Sequence, residues 1–376
     1  MATVLTHAEI YTGQTVIKEG FIRFDQQVLA VGEMDEFHLQ AGDEVHDVMG
    51  KRIVPGFIDV HSHGGYSFDT MDGDQNKLVA MVEEMTKNEG VTSYFATTMT
   101  QSPENIAQAM VAAHAAAQAN PVIQGIHLEG PFISPVFKGA QPEEYIQVPD
   151  VTELARWQEL SGGMIKLLTY APEQAPDTAF EDYCLANGIV LSVGHSNATR
   201  AQMKQSKASH VTHLYNAQRE FKHREPGVTG HALLEDHLYC EMIADGFHVS
   251  PDMIKLAYKL KGPHRIDLVT DSMRAKGQGD GLSELGGQKV IVKDKQARLE
   301  SGNLAGSVLT FKDAFVNIMQ FTGCSIHDAV QMASVNQARE FGLDRKGTLE
   351  VGKDADLNVF DIAWNLKATY TLGRQA

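Results

Sequence analysis

The chain has 376 residues, a net charge of −16 at neutral pH and a pI near 5.4. A protein that neutralises nucleic-acid phosphates or an anionic membrane surface needs a broadly basic face, so this acidic balance argues against both kinds of partner. The length exceeds that of most single domains, although α/β barrels commonly reach about 250 residues as one unit. We therefore expect one large domain with a smaller attachment.

The chain terminus and the cysteines favour a cytoplasmic protein. The first residues, MATVLTHAEIYTG, lack the basic-then-apolar order of a signal peptide, and no apolar run reaches the roughly 20 residues of a membrane span. Cys184, Cys240 and Cys324 are far apart and none belongs to a CxxC pair. This usage indicates a reducing compartment and no disulfide framework.

Eight short apolar runs recur along the middle of the chain, and most are rich in β-branched or aromatic residues. Helix-like stretches separate them, and each of these ends near Gly or Asn. Eight alternations of strand and helix predict an α/β fold, a (β/α)₈ barrel, whose active site forms at the C-terminal ends of the strands. The predicted strands are residues 53–60, 92–98, 122–128, 164–170, 188–194, 210–214, 239–245 and 265–271.

The two ends of the chain have a different pattern. Residues 1–52 and 347–376 contain short alternating segments with turn glycines, which are typical of small antiparallel strands. We expect them to pair into one small β-sandwich domain, which leaves 53–346 as the barrel domain. The glycine-rich polar segment 271–287 has the composition of a mobile loop that closes over a substrate.

Polar side chains follow several of the predicted strands, at the end where a barrel places its active site. His61 and His63 come directly after the first apolar run. Residues i and i+2 of a strand face the same side, so two imidazoles at this spacing can close on one metal ion, although an HxH pair alone is a weak signal. Unpaired buried carboxylates and imidazoles cost several kcal/mol each, so a set of such groups on one rim predicts at least one bound metal. The other members of the set are Glu129, His195, His213 and Asp271.

Several motifs resemble the amidohydrolase superfamily and, within it, the N-acetylglucosamine-6-phosphate deacetylases. They are PGFIDVHSHGG, HLEGPF, GHSNAT, THLYNA, ADGFHV and LVTDS, with GTLEVGKDADLNVFD near the end, and together they cover about residues 45–362. The HxH and GKDADL elements are common to many amidohydrolases, whereas HLEGPF, GHSNAT and THLYNA in this order are specific to the deacetylases. The resemblance implies a metal-dependent barrel with a small β-domain made from both chain ends. It also implies hydrolysis of N-acetylglucosamine 6-phosphate to glucosamine 6-phosphate and acetate, in amino-sugar catabolism and cell-wall sugar recycling.

The resemblance further implies a set of metal ligands. The family's principal ligands match Glu129, His195 and His213, and its catalytic carboxylate matches Asp271. Family members that keep the histidine pair look able to bind two metals, so we expect a binuclear site in which Glu129 bridges. Imidazoles with carboxylates suit one or two divalent ions per subunit, Zn²⁺, Fe²⁺, Co²⁺ or Mn²⁺, and the sequence does not choose among them.

The expected chemistry is amide hydrolysis. A metal lowers the pKa of its bound water to about 7 and supplies hydroxide near the acetyl carbonyl. Asp271 would take the water's proton and return it to the departing amine. By resemblance, His248 hydrogen-bonds the substrate carbonyl or a sugar hydroxyl; the alternative is a structural histidine.

An anionic sugar also needs hydrogen-bond donors, and residues 215–230 form a local basic segment in an acidic chain. By resemblance, Asn216 and the backbone amide of Ala217 bind phosphate, and Arg224 joins them from the neighbouring subunit. A homodimer that binds a small amino-sugar phosphate is therefore implied. The alternative is a solvated basic loop.

Two further segments are expected to contact the substrate. Many relatives have a histidine in a KGAH segment where this chain has Gln141, which can donate a hydrogen bond but cannot carry charge, so its role in sugar or phosphate binding is in doubt. The NLAGS segment begins the helix that follows the glycine-rich loop. Its expected backbone contacts come from Leu304, Ala305 and Gly306.

Two other functions compete with deacetylation. Another amidohydrolase reaction, such as cyclic-amide hydrolysis or deamination, would use the same metal chemistry, since the fold alone does not determine the substrate. The basic segment around Arg224 argues against it, because a neutral ring has no use for that charge. A catalytically inactive barrel used for protein binding is the second alternative, and the complete ligand set argues against it.

Overall fold

The strands form an eight-stranded sheet from both chain ends, a parallel barrel, a hairpin and a three-stranded sheet. The structure is a computed structural model that describes residues 2–376, so residue 1 of the predicted domain 1–52 lies outside the described part. The strands are β1 (Ala2–Tyr11), β2 (Val16–Phe24), β3 (Val28–Glu33), β4 (Asp43–Asp47), β5 (Arg52–Pro55), β6 (Phe57–Ser62), β7 (Gly64–Gly65), β8 (Phe68–Asp69), β9 (Val91–Thr97), β10 (Ile123–Glu129), β11 (Ile165–Tyr170), β12 (Val190–Val193), β13 (His210–Val211), β14 (Tyr239–Ile243), β15 (Ile266–Val269), β16 (Gly281–Leu285), β17 (Gln288–Lys293), β18 (Gln296–Leu299), β19 (Leu357–Phe360), β20 (Leu366–Thr371) and β21 (Arg374–Gln375).

Helices follow most of the barrel strands, and their ends carry the expected capping residues. Asp74 accepts hydrogen bonds from two backbone amides at the start of the first helix, and Gly90 ends that helix in the left-handed conformation. None of the helices within residues 2–376 is long and apolar enough to cross a membrane. The helices are α1 (Gln75–Glu89), α2 (Pro103–Ala119), α3 (Val151–Leu160), α4 (Ala179–Ala186), α5 (Arg200–Met203), α6 (Gly227–Leu234), α7 (Pro251–Lys261), α8 (Phe311–Thr322), α9 (Ile326–Val330) and α10 (Asn336–Glu340), with a π-helix, Gln331–Val335, before α10.

Both chain ends contribute to one hydrogen-bonded sheet. One edge of β1 pairs antiparallel with β2, and the other edge pairs in parallel first with β4 and then with β5. β19 pairs antiparallel with β5, which brings the C-terminal strands into the same sheet. Apolar side chains from both ends, among them Ile10, Ile53 and Leu357, form a separate buried cluster. The expected small β-domain built from both ends is confirmed.

The barrel consists of β6 and β9–β15, which pair in parallel in the order of the sequence. Two backbone hydrogen bonds join the first strand to the end of the last. Asp271 N–H donates to His61 O at 2.8 Å, and His63 N–H donates to Ser272 O at 2.9 Å. The predicted (β/α)₈ barrel is confirmed, and its closure places the last strand beside the histidine pair.

The first predicted strand, 53–60, is divided in the structure. β5 belongs to the terminal sheet and β6 to the barrel, with Gly56 between them. A Cβ at Gly56 would lie only 2.0 Å from the Thr92 hydroxyl oxygen, so only glycine allows this close approach. The division into a domain of residues 1–52 and 347–376 and a barrel domain of residues 53–346 stays a prediction. In the structure, residues 53–55 pair with strands of the terminal sheet.

The expected mobile loop at 271–287 is also different in the structure. Its second half forms β16, the first strand of an antiparallel sheet with β17 and β18. Its first half is attached to the barrel by Lys276, whose ammonium nitrogen lies 3.0 Å from a carboxylate oxygen of Glu89, with both side chains fully buried. Hydrogen bonding between strands and a buried ion pair therefore order a segment whose composition indicated mobility.

Replacing Lys276 by Ala is expected to lower the free energy of unfolding by about 3–5 kcal/mol, because the carboxylate of Glu89 would stay buried without its cation. Urea denaturation measures this change. Lys289→Ala is the matched control: its partner Glu300 is 65% exposed, and such surface pairs contribute at most about 1 kcal/mol. Equal losses in the two variants would contradict the anchoring role of Lys276.

Candidate active site

The C-terminal ends of the barrel strands carry ionisable side chains to one cleft of about 470 Å³. β6 positions His61 and His63, β10 ends at Glu129, and the other groups come directly after their strands. His61 is fully buried behind the cleft. The cleft is lined by His63, Glu129, His195, His213 and Asp271.

The carboxylate of Glu129 lies at the centre of the group. Its Oε1 is 3.2 Å from His195 Nε2, 3.2 Å from His213 Nε2 and 3.4 Å from His61 Nε2. Its Oε2 is 3.2 Å from His63 Nε2. One buried carboxylate therefore contacts four imidazole rings.

Asp271 lies against the histidine pair. Its Oδ1 is 3.4 Å from His61 Nε2 and 3.3 Å from His63 Nε2. The pair is thus held between two carboxylates, Glu129 from the third barrel strand and Asp271 after the eighth. The structure brings all six predicted ligands together.

The donor atoms of these residues fit divalent transition metals. His195 Nδ1–H donates to Phe137 O at 3.0 Å, which leaves Nε2 as the lone-pair nitrogen. His61 Nε2 is buried and has no hydrogen-bond partner within residues 2–376. Imidazole nitrogens with carboxylate oxygens are typical ligands of such ions. Two groups of three have ligand atoms within 4.8 Å of one another: Glu129, His195 and His213, and His61, His63 and Asp271.

The buried histidines and carboxylates of the site shift one another's pKa values toward the charged forms. Burial alone would lower the pKa of His61, but the carboxylates of Glu241, Asp271 and Glu129 raise it to about 9. Burial would raise the pKa of both Glu129 and Asp271, yet the neighbouring histidines, His61 first, lower both. The lowered pKa of Asp271 means that its carboxyl group is ionised at neutral pH.

Three site residues have strained backbone conformations. The φ angles of His195, His213 and Asp271 are 48°, 30° and 46°, in the left-handed region that side chains other than glycine rarely adopt. All three follow directly after a barrel strand. Such strain persists only where the surrounding structure enforces it, and it is concentrated at functional sites.

Gln141 and His248 line the same cleft. Gln141 donates from Nε2 to Glu129 Oε2 at 2.7 Å and accepts from Thr100 N–H at 2.8 Å, so it orients the central carboxylate. His248 Nδ1–H donates to Asp245 Oδ2 at 2.7 Å, which leaves its Nε2 as the remaining polar atom of the ring.

The remaining predicted contacts divide into two groups. Asn216, Ala217, Leu304 and Gly306 line the cleft, whereas Ala305 is fully buried and donates its N–H to Ala297 O at 3.0 Å. Arg224 is exposed and does not line the cleft of its own chain.

Two residues that the motifs did not indicate belong to the site. Arg298 of β18 lines the cleft, and Glu241 of β14 contacts His61. Arg298 lies on the sheet of β16, β17 and β18, of which only β16 falls in the segment 271–287 that was expected to be a mobile loop. The sequence offered one indication of Glu241, because it is a carboxylate inside the otherwise apolar strand YCEMIAD.

Comparisons with known proteins show the family to which the chain is similar. The amidohydrolase family model matches residues 52–374. The N-acetylglucosamine-6-phosphate deacetylase of Bacillus subtilis (strain 168) is 42% identical over 358 residues, which cover 93% of this chain and 90% of that protein. The solved N-acetylglucosamine-6-phosphate deacetylase from Thermotoga maritima has a TM-score of 0.89 and 34% identity, covering 99% of each chain. A Mycobacterium smegmatis N-acetyl-D-glucosamine-6-phosphate deacetylase mutant in complex with N-acetyl-D-glucosamine-6-phosphate has a TM-score of 0.93 and 30% identity, covering 100% of this chain and 99% of that one.

A barrel with histidine and carboxylate groups converging at its C-terminal rim defines a hydrolase of the metal-dependent barrel class. The chain belongs to the amidohydrolase family and, within it, to the N-acetylglucosamine-6-phosphate deacetylases. The resemblance carried by the sequence motifs is thereby confirmed.

Replacing both His61 and His63 by Ala is expected to lower the bound transition metal from about two ions per chain to about one, because a three-ligand group remains. Elemental analysis after dialysis measures the change. His127→Gln is the matched control, since His127 is also fully buried but hydrogen-bonds Thr169 at 2.7 Å. An unchanged metal content in the double variant would contradict ligation by the HxH pair.

Proposed function

We propose that the protein removes the acetyl group of N-acetylglucosamine 6-phosphate by hydrolysis, giving glucosamine 6-phosphate and acetate. The observation that carries the proposal is the six-residue histidine and carboxylate group in a chain 42% identical to a deacetylase of that name. One or two divalent transition metals, bound by these six residues, would acidify water and polarise the acetyl carbonyl. A cytoplasmic location stays a prediction from cysteine usage.

Asp271 is the proposed proton carrier. Its carboxylate is ionised beside His61 and His63, so an oxygen is free to accept the proton of the attacking water. As the carbon–nitrogen bond breaks, the same group returns that proton to the sugar's amino nitrogen, and acetate leaves. One positioned carboxylate serves both steps in turn.

His248 is the proposed contact to the sugar. Because Nδ1–H donates to Asp245, Nε2 is the ring nitrogen of His248 that remains for the substrate. A lone pair accepts a hydrogen bond from a sugar hydroxyl, whereas a carbonyl would require the protonated ring. Both expected roles, the carbonyl contact and the hydroxyl contact, stay in the proposal.

The phosphate is proposed to bind at the outer side of the cleft, near Asn216 and Ala217. Arg224 is exposed on the segment that follows them and lies outside its own cleft, which suits a residue that completes the site of a second subunit. We therefore include a homodimer in the proposal. Arg298 lines the cleft of its own chain and is the alternative cationic group.

Asp271→Asn is expected to lower kcat by about two to four orders of magnitude, because the amide keeps the shape but cannot accept the proton. Steady-state assays with the phosphorylated sugar measure kcat, and elemental analysis and thermal melting check metal content and folding. Near-normal turnover after metal is resupplied would make Asp271 chiefly a ligand, and another group would have to move the proton.

Arg224→Ala is expected to raise KM for N-acetylglucosamine 6-phosphate far more than KM for N-acetylglucosamine, since a charge-assisted hydrogen bond contributes roughly 1.5–3 kcal/mol. Lys222→Ala is the matched control, because Lys222 is 69% exposed on the same segment and pairs with Glu220. Equal losses on both substrates would mean that Arg224 has a structural role.

Subunit exchange tests whether Arg224 acts across a dimer. In a mixture of Arg224→Ala and Asp271→Asn chains, a mixed dimer has one site with an intact Asp271 and an arginine from the other subunit. Random exchange between equal amounts should restore about a quarter of the wild-type sites, because half of the dimers are mixed. No gain over the unmixed variants would contradict the shared site and would direct attention to Arg298.

A further inference from the structure

Glu241 contacts both halves of the candidate metal centre from within the barrel. Its Oε2 accepts from His61 Nδ1–H at 2.7 Å and from the backbone N–H of His213 at 2.9 Å. Its Oε1 lies 3.3 Å from His210 Nε2. The side chain is fully buried on β14, and it does not line the cleft.

The contact with His61 determines which nitrogen of the ring can bind a metal. Because Nδ1–H donates to Glu241, the lone pair of the neutral ring is at Nε2. That atom lies 3.4 Å from both Glu129 Oε1 and Asp271 Oδ1 and has no hydrogen-bond partner within residues 2–376. A carboxylate behind a ligating histidine fixes the ring orientation and raises its basicity.

The contact with His213 acts on the backbone. The φ angle of His213 is 30°, and such a conformation must be held by neighbouring groups. The hydrogen bond from its N–H to Glu241 is one of those restraints. One carboxylate oxygen therefore orients a member of each three-residue group, His61 of one and His213 of the other.

The polar network continues away from the site, which supplies a control. His210 Nδ1 lies 2.9 Å from Glu340 Oε1, and Asp267 completes this buried group. Burial first, and then Glu340, raises the pKa of Asp267 well above its ordinary value, so Asn is close to it in charge and shape. Asp267 lies beside His210 and Glu340, but neither of its carboxylate oxygens has a hydrogen-bond partner within residues 2–376, and its group does not include His61.

We propose that Glu241 is a positioning residue of the metal centre, which holds His61 as an Nε2 ligand and restrains the turn at His213. This inference rests on the proposed metal-dependent function. It predicts that loss of the Glu241 carboxylate lowers metal affinity more at the group that contains the histidine pair than at the group of Glu129, His195 and His213.

The test measures metal binding directly. Purified full-length variants are stripped of metal, titrated with Co²⁺ and followed by the cobalt absorption spectrum, with elemental analysis for stoichiometry and circular dichroism for folding. Glu241→Ala should weaken the His61 and His63 ion by about 10–100-fold and alter its cobalt spectrum, because the orienting partner is gone. Glu241→Gln keeps an acceptor oxygen but loses the charge, so its affinity should lie between those of wild type and Glu241→Ala. Asp267→Asn should leave both ions unchanged.

Three outcomes would overturn the proposal: wild-type affinity in a folded Glu241→Ala variant, an equal loss in Asp267→Asn, or wild-type affinity and spectrum in Glu241→Gln. If Glu241→Ala does not fold, the comparison of Glu241→Gln with the wild-type protein tests the proposal. Failure of the proposed function itself has a different signature, since the wild-type protein would then bind no Co²⁺ at all.

Discussion

The closure of the barrel between its first and last strands is the constraint on which the site depends. Asp271 N–H donates to the carbonyl of His61, so a residue just beyond the eighth strand lies beside the C-terminal end of the first. All parallel strands of a closed barrel end at one rim, and side chains that are distant in sequence therefore meet there. Without this closure Asp271 would not be held beside the histidine pair.

Closure of the barrel also brings several buried carboxylates close together, and the neighbouring imidazoles compensate their charges. Three buried carboxylates, Glu129, Asp271 and Glu241, lie within hydrogen-bonding or ion-pair distance of His61. Buried charges of this kind are stable only when each is paired, so every carboxylate contacts at least one imidazole. The same pairing fixes ring orientations and supports strained turns after the strands. The contacts that stabilise the buried charges are therefore the same contacts that orient the candidate metal ligands.

The part of the site that selects a substrate has a different origin. The candidate metal-binding residues lie on barrel strands or within two residues of a strand end, whereas the groups proposed to recognise the sugar phosphate come from connecting segments and the inserted sheet. Asn216 and Ala217 follow β13, and Arg298 is contributed by β18. Many functions share this barrel because such segments vary while the strand ends stay in place. An arginine exposed in its own chain, Arg224, extends that principle to a second subunit in the proposed dimer.

The sequence by itself determined the eight strands, the terminal β-domain and the family, because apolar periodicity and motif order are local properties that need no knowledge of neighbours. It also indicated the six strand-end residues that the structure brings together. Only the tertiary structure decided which residues contact across the barrel. The division of 53–60 at Gly56 depends on the approach of Thr92, and the order of the segment after Asp271 depends on Glu89 and on strand pairing. The role proposed for Glu241 depends on a closed barrel that brings it to His61, through a contact between residues 180 positions apart that no local pattern encodes.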